Sequence, residues 1–311
     1  MKSASDQKPL ISVIVLSYNR PECLQKALAS IARQSYDNLE VLVVDNKSQS
    51  SERIREMVSS HQEFKLIQNS SNMGFSGGMN EGLGGASGDY VYLTLDDVVL
   101  EKDCLLRLAE YLESDLANGL VAPILYSELG DTIVSAGGEF KLTPALQVKF
   151  LGMGERDTGQ FPQPFQVSWV PGAAMFCRRS FLKGLKGFRQ DFFMYSEDIE
   201  LCARVRKLGY RLTVVPAAKV FVGEAAHPSI NHQIVFHKIK NLLSVYLLHA
   251  RFCVIPAAFF RYGIVDLLRS LAADKKTFWP RVRALGWLLV KAPSLLSERY
   301  RGVSPQLYFK S

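Results

Sequence analysis

Residues 91–100 read VYLTLDDVVL, an apolar run with the β-branched and aromatic content of a buried strand that ends in two adjacent acids, Asp96 and Asp97. Two unpaired anions side by side in a core would cost several kcal/mol, so these carboxylates must reach solvent or meet a cation. Working back from them, ISVIVL (11–16), LEVLVV (39–44) and FKLIQ (64–68) are β-rich runs separated by helical patterns. One helix follows Pro21, which suits a first helical turn, and one starts near Ser51, with Ser50 or Ser51 placed to cap it. This alternation predicts a parallel sheet with crossover helices. A polar cluster follows each strand: SYNR (Ser17, Asn19, Arg20), DNKS (Asp45, Asn46), the stretch from Asn69 to Gly74, and Asp96 with Asp97. Ligands of open α/β sheets bind beyond the carboxyl ends of the strands, so four such clusters predict one site.

The stretch GFSGGMNEGLGGASGD (74–89) holds no G-x-G-x-x-G and does not follow the first strand, which argues against a dinucleotide-binding oxidoreductase. It reads either as a turn that lets a helix approach closely, or as a loop whose Gly77 and Gly78 offer N–H groups to a ligand's oxygens. Past Leu120, YSELGDTIVSAGGEF and the loop GQFPQPFQ predict an antiparallel extension. In DFFMYSEDIELCARVRKLGYRLTVVP, Leu201, Val205 and Leu208 recur at helical spacing after Ser196, Glu197 and Asp198, so two acids stand at a helix start. After Val215 the pattern reads as helical to the C-terminus, with Phe260, Ile264, Leu267 and Leu271 on one face after Pro256.

With 311 residues, 48% of them apolar and 22% charged, the chain can build a full core as one large domain or two modest ones. Cys23, Cys104, Cys177, Cys202 and Cys253 show no C-x-x-C spacing, which predicts free buried thiols rather than a disulfide frame or a structural zinc. The first apolar run gives way at once to SYNR and reads as a strand rather than a signal segment, so a cytoplasmic start is expected. The net charge of +7 is concentrated: from Arg251 onward eleven Lys/Arg face three acids, leaving the first 250 residues at about −1. With Phe252, Phe259, Phe260, Trp279 and Trp287 interleaved, the tail suits an anionic membrane surface better than nucleic acid. No window there reaches the roughly 18 uncharged residues that a spanning helix needs. Packing onto the core or forming a homodimer are the other expectations for these helices.

The segments SVIVLSYNR, VLVVDNKS, NSSNMGFSGGMNEGL, YVYLTLDDVVL, VPGAAMFCRRS and FFMYSEDIELCARVRKLGY, in this order between Ile11 and Val222, resemble the family 2 glycosyltransferases. These are inverting nucleotide-sugar enzymes, and the likeness is nearest to the bacterial rhamnosyltransferase-like branch that builds surface polysaccharides. The resemblance implies an α/β GT-A fold, a mixed and mainly parallel sheet with flanking helices, over residues 1–223, and a basic helical extension over 224–311. It implies a UDP- or dTDP-sugar donor, with rhamnose a candidate sugar, and a glycan or lipid-linked acceptor. A peripheral place on the inner face of the cell membrane would follow.

Position by position, Asp45 matches the acid that contacts base or ribose, with Ser17 and Asn19 nearby. Asp97 matches the last acid of the D-x-D element, which holds Mg²⁺ or Mn²⁺ on the diphosphate. Asp198 matches the catalytic base. Arg20, Asn46, Gly77, Asn80, Asp96, Trp169 and Glu197 fall among the residues expected to bind the nucleotide sugar. Independently, a hard cation held by carboxylates and phosphates stabilises a departing diphosphate. A base must be ionised to take a hydroxyl proton, and the dipole of the helix that starts at Asp198 would hold that residue anionic.

Two departures stand out. Leu95 occupies the first position of the metal element, where Asp96 either compensates or turns to solvent. Val222 stands where relatives often place a metal-binding His, and His227, five residues later, reads either as a substitute ligand or as a surface loop histidine. Arg178 and Arg179 are candidates to offset phosphate charge. The competing expectation is a non-catalytic sugar-nucleotide-binding or membrane-associated scaffold derived from the same fold. A nucleotidyltransferase is disfavoured because SYNRPE stands where its Gly/Lys-rich phosphate loop should follow the first strand.

Overall fold

A computed structural model describes residues 8–61, 63–223, 232–273 and 275–299. The chain opens with β1 (Ile11–Ser17), α1 (Pro21–Ile31), β2 (Leu39–Asp45), α2 (Ser51–Ser59), β3 (Phe64–Gln68), α3 (Gly74–Gly85) and β4 (Tyr90–Leu95). These four strands lie in the order β3-β2-β1-β4 and run parallel, as the alternation predicts. Pro21 is the first residue of α1. Neither serine caps α2 as expected: Ser50 makes no side-chain cap, and Ser51 donates instead to Asp45 Oδ2 at 2.5 Å.

The glycine stretch is helical along its whole first part, against weak propensity, because α3 lies directly on the sheet. A Cβ at Gly78 would fall 2.4 Å from Leu16 Cδ1 and one at Gly82 2.3 Å from Ile14 Cγ2. Gly77 and Gly78 are buried within this helix, so what they admit is neighbouring protein, and the expectation of ligand-facing N–H groups at these positions is corrected.

The second half is mixed. β5 (Val98–Leu100), α4 (Cys104–Glu113), β6 (Asn118–Ser127), β7 (Ile133–Ser135), β8 (Gly138–Lys141), β9 (Gln147–Phe150), β10 (Phe165–Val167), β11 (Ala174–Arg178), α5 (Arg179–Gly184), α6 (Glu197–Lys207) and β12 (Arg211–Val222) complete the sheet and its cover. β11 inserts antiparallel between β4 and β6, β12 runs parallel to β6, and β8 and β9 form the expected hairpin. β12 corrects the helical reading past Val215. Pro216 interrupts the strand pattern, but the ladder slips between Val214 and Lys219 and resumes to Val222.

The two faces of the sheet carry separate apolar clusters, one centred on Ile14, Met79 and Met175 and one on Val13, Leu105 and Phe176. The helices α7 (His232–His249), α8 (Ile255–Ala258), α9 (Asp266–Ala273) and α10 (Lys275–Glu298) follow. They pack onto the sheet-bearing half: Phe192 and Ile199 share a cluster with Leu243, Val245 and Leu288. Between α8 and α9 a π-helical stretch, Phe259–Val265, shifts the expected apolar face by one residue. Its exposed members are therefore Phe260, Ile264, Leu268 and Leu271, with Leu267 half-buried. The cysteines are free: Cys104, Cys177 and Cys202 are buried as expected, whereas Cys23 is half-buried and Cys253 exposed.

Candidate active site

The carboxyl ends of β1 to β4 open on one rim. Asp96 and Asp97 form the turn that joins β4 to β5, and β5 pairs at once with the end of β12. Asp96 is 3% and Asp97 8% exposed, so neither reaches solvent freely. Ser17 Oγ and the Tyr18 N–H donate to Asp96 Oδ2 at 2.9 and 3.1 Å. The cation is Arg20, whose guanidinium donates to Asp97 Oδ2 at 2.5 Å and stands 3.8 Å from Asp96 Oδ1. Asp97 Oδ1 is buried with no partner. Burial pushes the Asp96 carboxyl up to about 6, against the pull of Arg20 and with the push of Asp97. Leu95, the residue in the oxygen-ligand position, ends the strand with its side chain against both apolar clusters.

The strand ends on either side are less open than the sequence suggests. Asp45 is 1% exposed. Its Oδ1 accepts from the Ser48 N–H at 2.9 Å, and its Oδ2 accepts from Ser51. Asn19, at φ 58°, accepts from the Gln49 N–H and closes the first loop onto the second. Two expected ligand groups are corrected. Asn46 donates to Asn72 Oδ1 and the Gly74 carbonyl and accepts from Asn69 and the Met73 N–H. All four of its hydrogen-bonding positions thus hold the loop before α3. Asn80 donates to the Phe188 carbonyl and accepts from its N–H, which ties α3 to the loop after α5. Arg178 and Arg179 cap carbonyls of Asn118, Leu112 and Gly88 at the opposite rim, away from any phosphate at the acids.

β11 runs antiparallel to β4 with Ala174 opposite Thr94, which returns the Pro171–Ala173 turn to the rim. A Cβ at Gly172 would lie 2.8 Å from the Phe75 ring and 3.6 Å from Asp198 Cβ. The first turns of α3 and α6 therefore converge there, and Asp198 joins the rim. Burial raises the carboxyls of both Glu197 and Asp198, outweighing the helix dipole expected to keep Asp198 anionic. The pair is not equivalent. Asp198 Oδ1 accepts from the Ile199 N–H at 2.8 Å, and the Trp169 indole and Gly172 N–H also favour its ionised form. The Trp169 Nε1–H is itself buried without a well-aligned partner. Glu197 Oε2 is buried and unpartnered, so of the two carboxyls Asp198 has donors that favour ionisation and Glu197 lacks them.

The approach to these acids is strained. Phe193 (φ 60°, ψ −65°) is the centre of a γ-turn closed by the Met194 N–H on the Phe192 carbonyl at 2.7 Å, and Tyr195 and Ser196 follow at φ 69° and 63°. Such residues cost about 1–3 kcal/mol each and collect at functional sites. Sequence reasoning missed this stretch, since no glycine marks it.

For a divalent cation the donor set fits. Asp96 and Asp97 are adjacent, and one buried oxygen lacks a partner, as a hard ion that shares its shell with substrate phosphates requires. No cluster of three or more potential ligands exists among the described residues. β12 ends at Val222, and the N–H of the next residue, Gly223, donates to the Asp97 carbonyl at 3.0 Å. His227 lies beyond it, outside the described residues. An open cavity of about 590 Å³ between Phe140, Gln166, Arg206 and Arg211 has none of these acids in its wall.

Residues 12–185 match the model of glycosyl transferase family 2. The chain is 26% identical over 208 residues to the amylovoran biosynthesis glycosyltransferase AmsB of Erwinia amylovora, covering 66% of each chain. It is 25% identical over 234 residues to an N-acetylglucosaminyl-diphospho-decaprenol L-rhamnosyltransferase of Mycobacterium tuberculosis, covering 68% of this chain and 75% of that one. The match spans about two thirds of AmsB but only 34% of a Haemophilus influenzae glycosyltransferase and 42% of a Mycobacterium tuberculosis one. Among solved structures, GalNAc-T7 with UDP, GalNAc and Mn²⁺ superposes with a TM-score of 0.66 at 14% identity, over 92% of this chain and 58% of that one. This likeness establishes the GT-A fold.

Proposed function

The chain belongs to glycosyl transferase family 2, and from that premise we propose that it moves a sugar from a UDP- or dTDP-sugar to a hydroxyl of a glycan or lipid-linked acceptor, with inversion at the anomeric carbon. Rhamnose is a candidate sugar, since two relatives are named rhamnosyltransferases, although another is named a UDP-Glc glucosyltransferase. The observation that carries the reading is Asp97 Oδ1, a buried carboxylate oxygen without a partner on the rim where Arg20 and Asp198 also stand. Asp198, kept anionic by its N–H donors while Glu197 holds the proton, takes the proton of the acceptor hydroxyl. The acceptor oxygen forms its bond to the anomeric carbon as the bond to the diphosphate oxygen breaks on the opposite face. Asp96 and Asp97 would hold a Mg²⁺ or Mn²⁺ ion, which would supply Lewis-acid charge at that diphosphate. Arg20, half exposed and already at these acids, adds a fixed positive charge for the departing nucleoside diphosphate.

The helical extension supports a lipid-linked acceptor. Of the thirteen exposed large apolar side chains among the described residues, eight lie between Phe252 and Val290, in the segment that carries the excess of Lys and Arg. Such a face suits docking on anionic lipid, and no described helix is long and apolar enough to cross a membrane. Co-sedimentation with phosphatidylglycerol vesicles tests this: binding lost in a Phe260→Ser/Leu268→Ser variant supports docking, and unchanged binding, or dimerisation through this face, rejects it.

The test of the activity is a thermal-shift screen of UDP-, dTDP- and GDP-sugars with and without Mn²⁺. Ligand at a hundred times its Kd adds about 2.7 kcal/mol of apparent stability. A shift with one donor class that grows with Mn²⁺ is expected. No shift with any donor overturns the reading, and binding without transfer or hydrolysis points to the scaffold alternative.

A further inference from the structure

We propose that Asn241, in α7 of the helical extension, is a positioning residue for the transfer reaction: it holds Phe193–Ser196 in the strained path that delivers Glu197 and Asp198 to the rim. The proposal rests on the reading of Asp198 as the base.

Asn241 is fully buried in α7, between the buried Lys240 and the run Leu242–Leu243. Its Nδ2 lies 2.7 Å from the Phe192 carbonyl, 2.8 Å from that of Met194 and 2.7 Å from that of Tyr195. These are the carbonyls that the γ-turn at Phe193 and the left-handed residues after it rotate out of any regular ladder. The two N–H hydrogens of one amide are thus shared among three carbonyls that no strand or helix serves. Its own Oδ1 is buried and unpartnered, which is tolerable only if the amide is placed for what its nitrogen does.

The rest of α7 bears on the same residues. Lys240 donates to the Asp191 carbonyl, His237 stacks on the Phe193 ring at 4.8 Å, and Lys238 stands 4.7 Å from the centre of the Tyr195 ring. From the other side, the Phe193 carbonyl accepts from the Ser76 N–H in the first turn of α3 at 3.1 Å, beside Gly74, where a Cβ would meet that carbonyl at 2.3 Å. Strained backbone persists only where its surroundings over-determine it. Here the surroundings are α3 on one side and α7 on the other. The extension therefore acts on the chemistry without lining the donor site, and the segment it fixes leads directly into the two acids.

The experiment compares Asn241→Asp and Asn241→Leu in the full chain with wild type. The aspartate sets a carboxylate against three carbonyl oxygens, and the leucine removes the donor at similar volume. Both lower kcat by about 10²-fold, the cost of a small misplacement of a reacting group. Both leave the donor KM near wild type, because donor binding is set by β1 and β4, and both displace the acid limb of the pH–rate profile. Hydrogen exchange at the amides of 193–197 speeds up. Wild-type kcat and pH profile in both folded variants overturn the proposal, as does wild-type exchange.

Should neither variant fold, His237→Ala/Lys238→Ala removes the two side chains stacked on Phe193 and Tyr195 and leaves Asn241 in place. It lowers kcat several-fold at unchanged donor KM, and a wild-type kcat there overturns the proposal. The two readings fail separately. Undiminished transfer by Asp198→Asn removes the base assignment while the exchange result stands, and unaltered exchange in Asn241→Asp removes the positioning role whatever Asp198 does.

Discussion

Glu40 and Asp97 stand at opposite ends of the same sheet, 6% and 8% exposed, and differ in what surrounds them. At the amino end, Glu40 Oε1 accepts from Ser12 Oγ, the Ser87 N–H, Ser87 Oγ and the Gly88 N–H, and Oε2 accepts from Lys65 Nζ at 2.9 Å. Burial pushes this carboxyl up, but the hydrogen bonds from Ser12, Ser87 and Lys65 outweigh it and carry it down to about 2. At the carboxyl end, Asp97 keeps one oxygen unpartnered, Glu197 likewise, and Asp96 is pushed up to about 6. Burial of an acid does not by itself mark function. A carboxylate saturated by its own chain is a rivet for the fold, and one left short of donors is a place for something the chain does not supply.

The widest separation of the two ends comes from Asp97→Asn. Removing a charge aimed at the leaving diphosphate lowers kcat by about 10²–10³-fold, while the thermal midpoint holds, since Arg20 is half exposed and water replaces its partner. Steady-state kinetics beside a melting curve check both halves. A large loss of stability with kcat retained would make Asp97 another rivet and erase the contrast.

The converse substitution, Glu40→Gln, removes a charged acceptor of several hydrogen bonds and costs about 2 kcal/mol of unfolding free energy, read by urea titration, with kcat unchanged. The pH dependence follows from the direction of the shift. A carboxyl held below its ordinary 4.5 stabilises the fold fully above that pH and loses the contribution as pH falls toward 2. The wild type therefore shows an acid limb of stability that the variant lacks.

Much of this was legible in the sequence, for definite reasons. Parallel strands are short apolar runs, and their ends must turn polar, so Ser17, Asp45, Asp96 and Asp97 announced a rim before any coordinates; the helical spacing after Asp198 announced its element. What stayed hidden depends on partners. An asparagine after a strand looks the same whether it faces a ligand or, like Asn46 and Asn80, ties two loops of its own chain together. Glycines read as a turn were a helix, because the reason for Gly78 and Gly82 is the side chains of Leu16 and Ile14, far away in sequence. Pro216 disguised the second half of β12 because the ladder there is bulged. The hold of Asn241 on residues 192–195 spans 46 to 49 positions, and no local pattern hints at it.

The smallest expected effect sharpens the contrast most finely, because the two ends titrate with opposite sign. Asp96 is raised from 3.8 to about 6, so the folded protein binds this proton more tightly than the unfolded chain. Its contribution to stability is then present below pH 3.8 and declines as pH rises through 6, the reverse of the slope that Glu40 imposes. Binding of a cation and donor requires the ionised form. Lowering the pH from 7 to 6 takes Asp96 from almost wholly to half ionised and weakens Mn²⁺-supported binding of the nucleotide sugar about twofold. Isothermal titration across that range checks it, with Asp96→Asn as the control that flattens the dependence. If the twofold change persists in Asp96→Asn, the proton belongs to another group on the rim, and Glu197, whose carboxyl burial also raises, is the residue to substitute next.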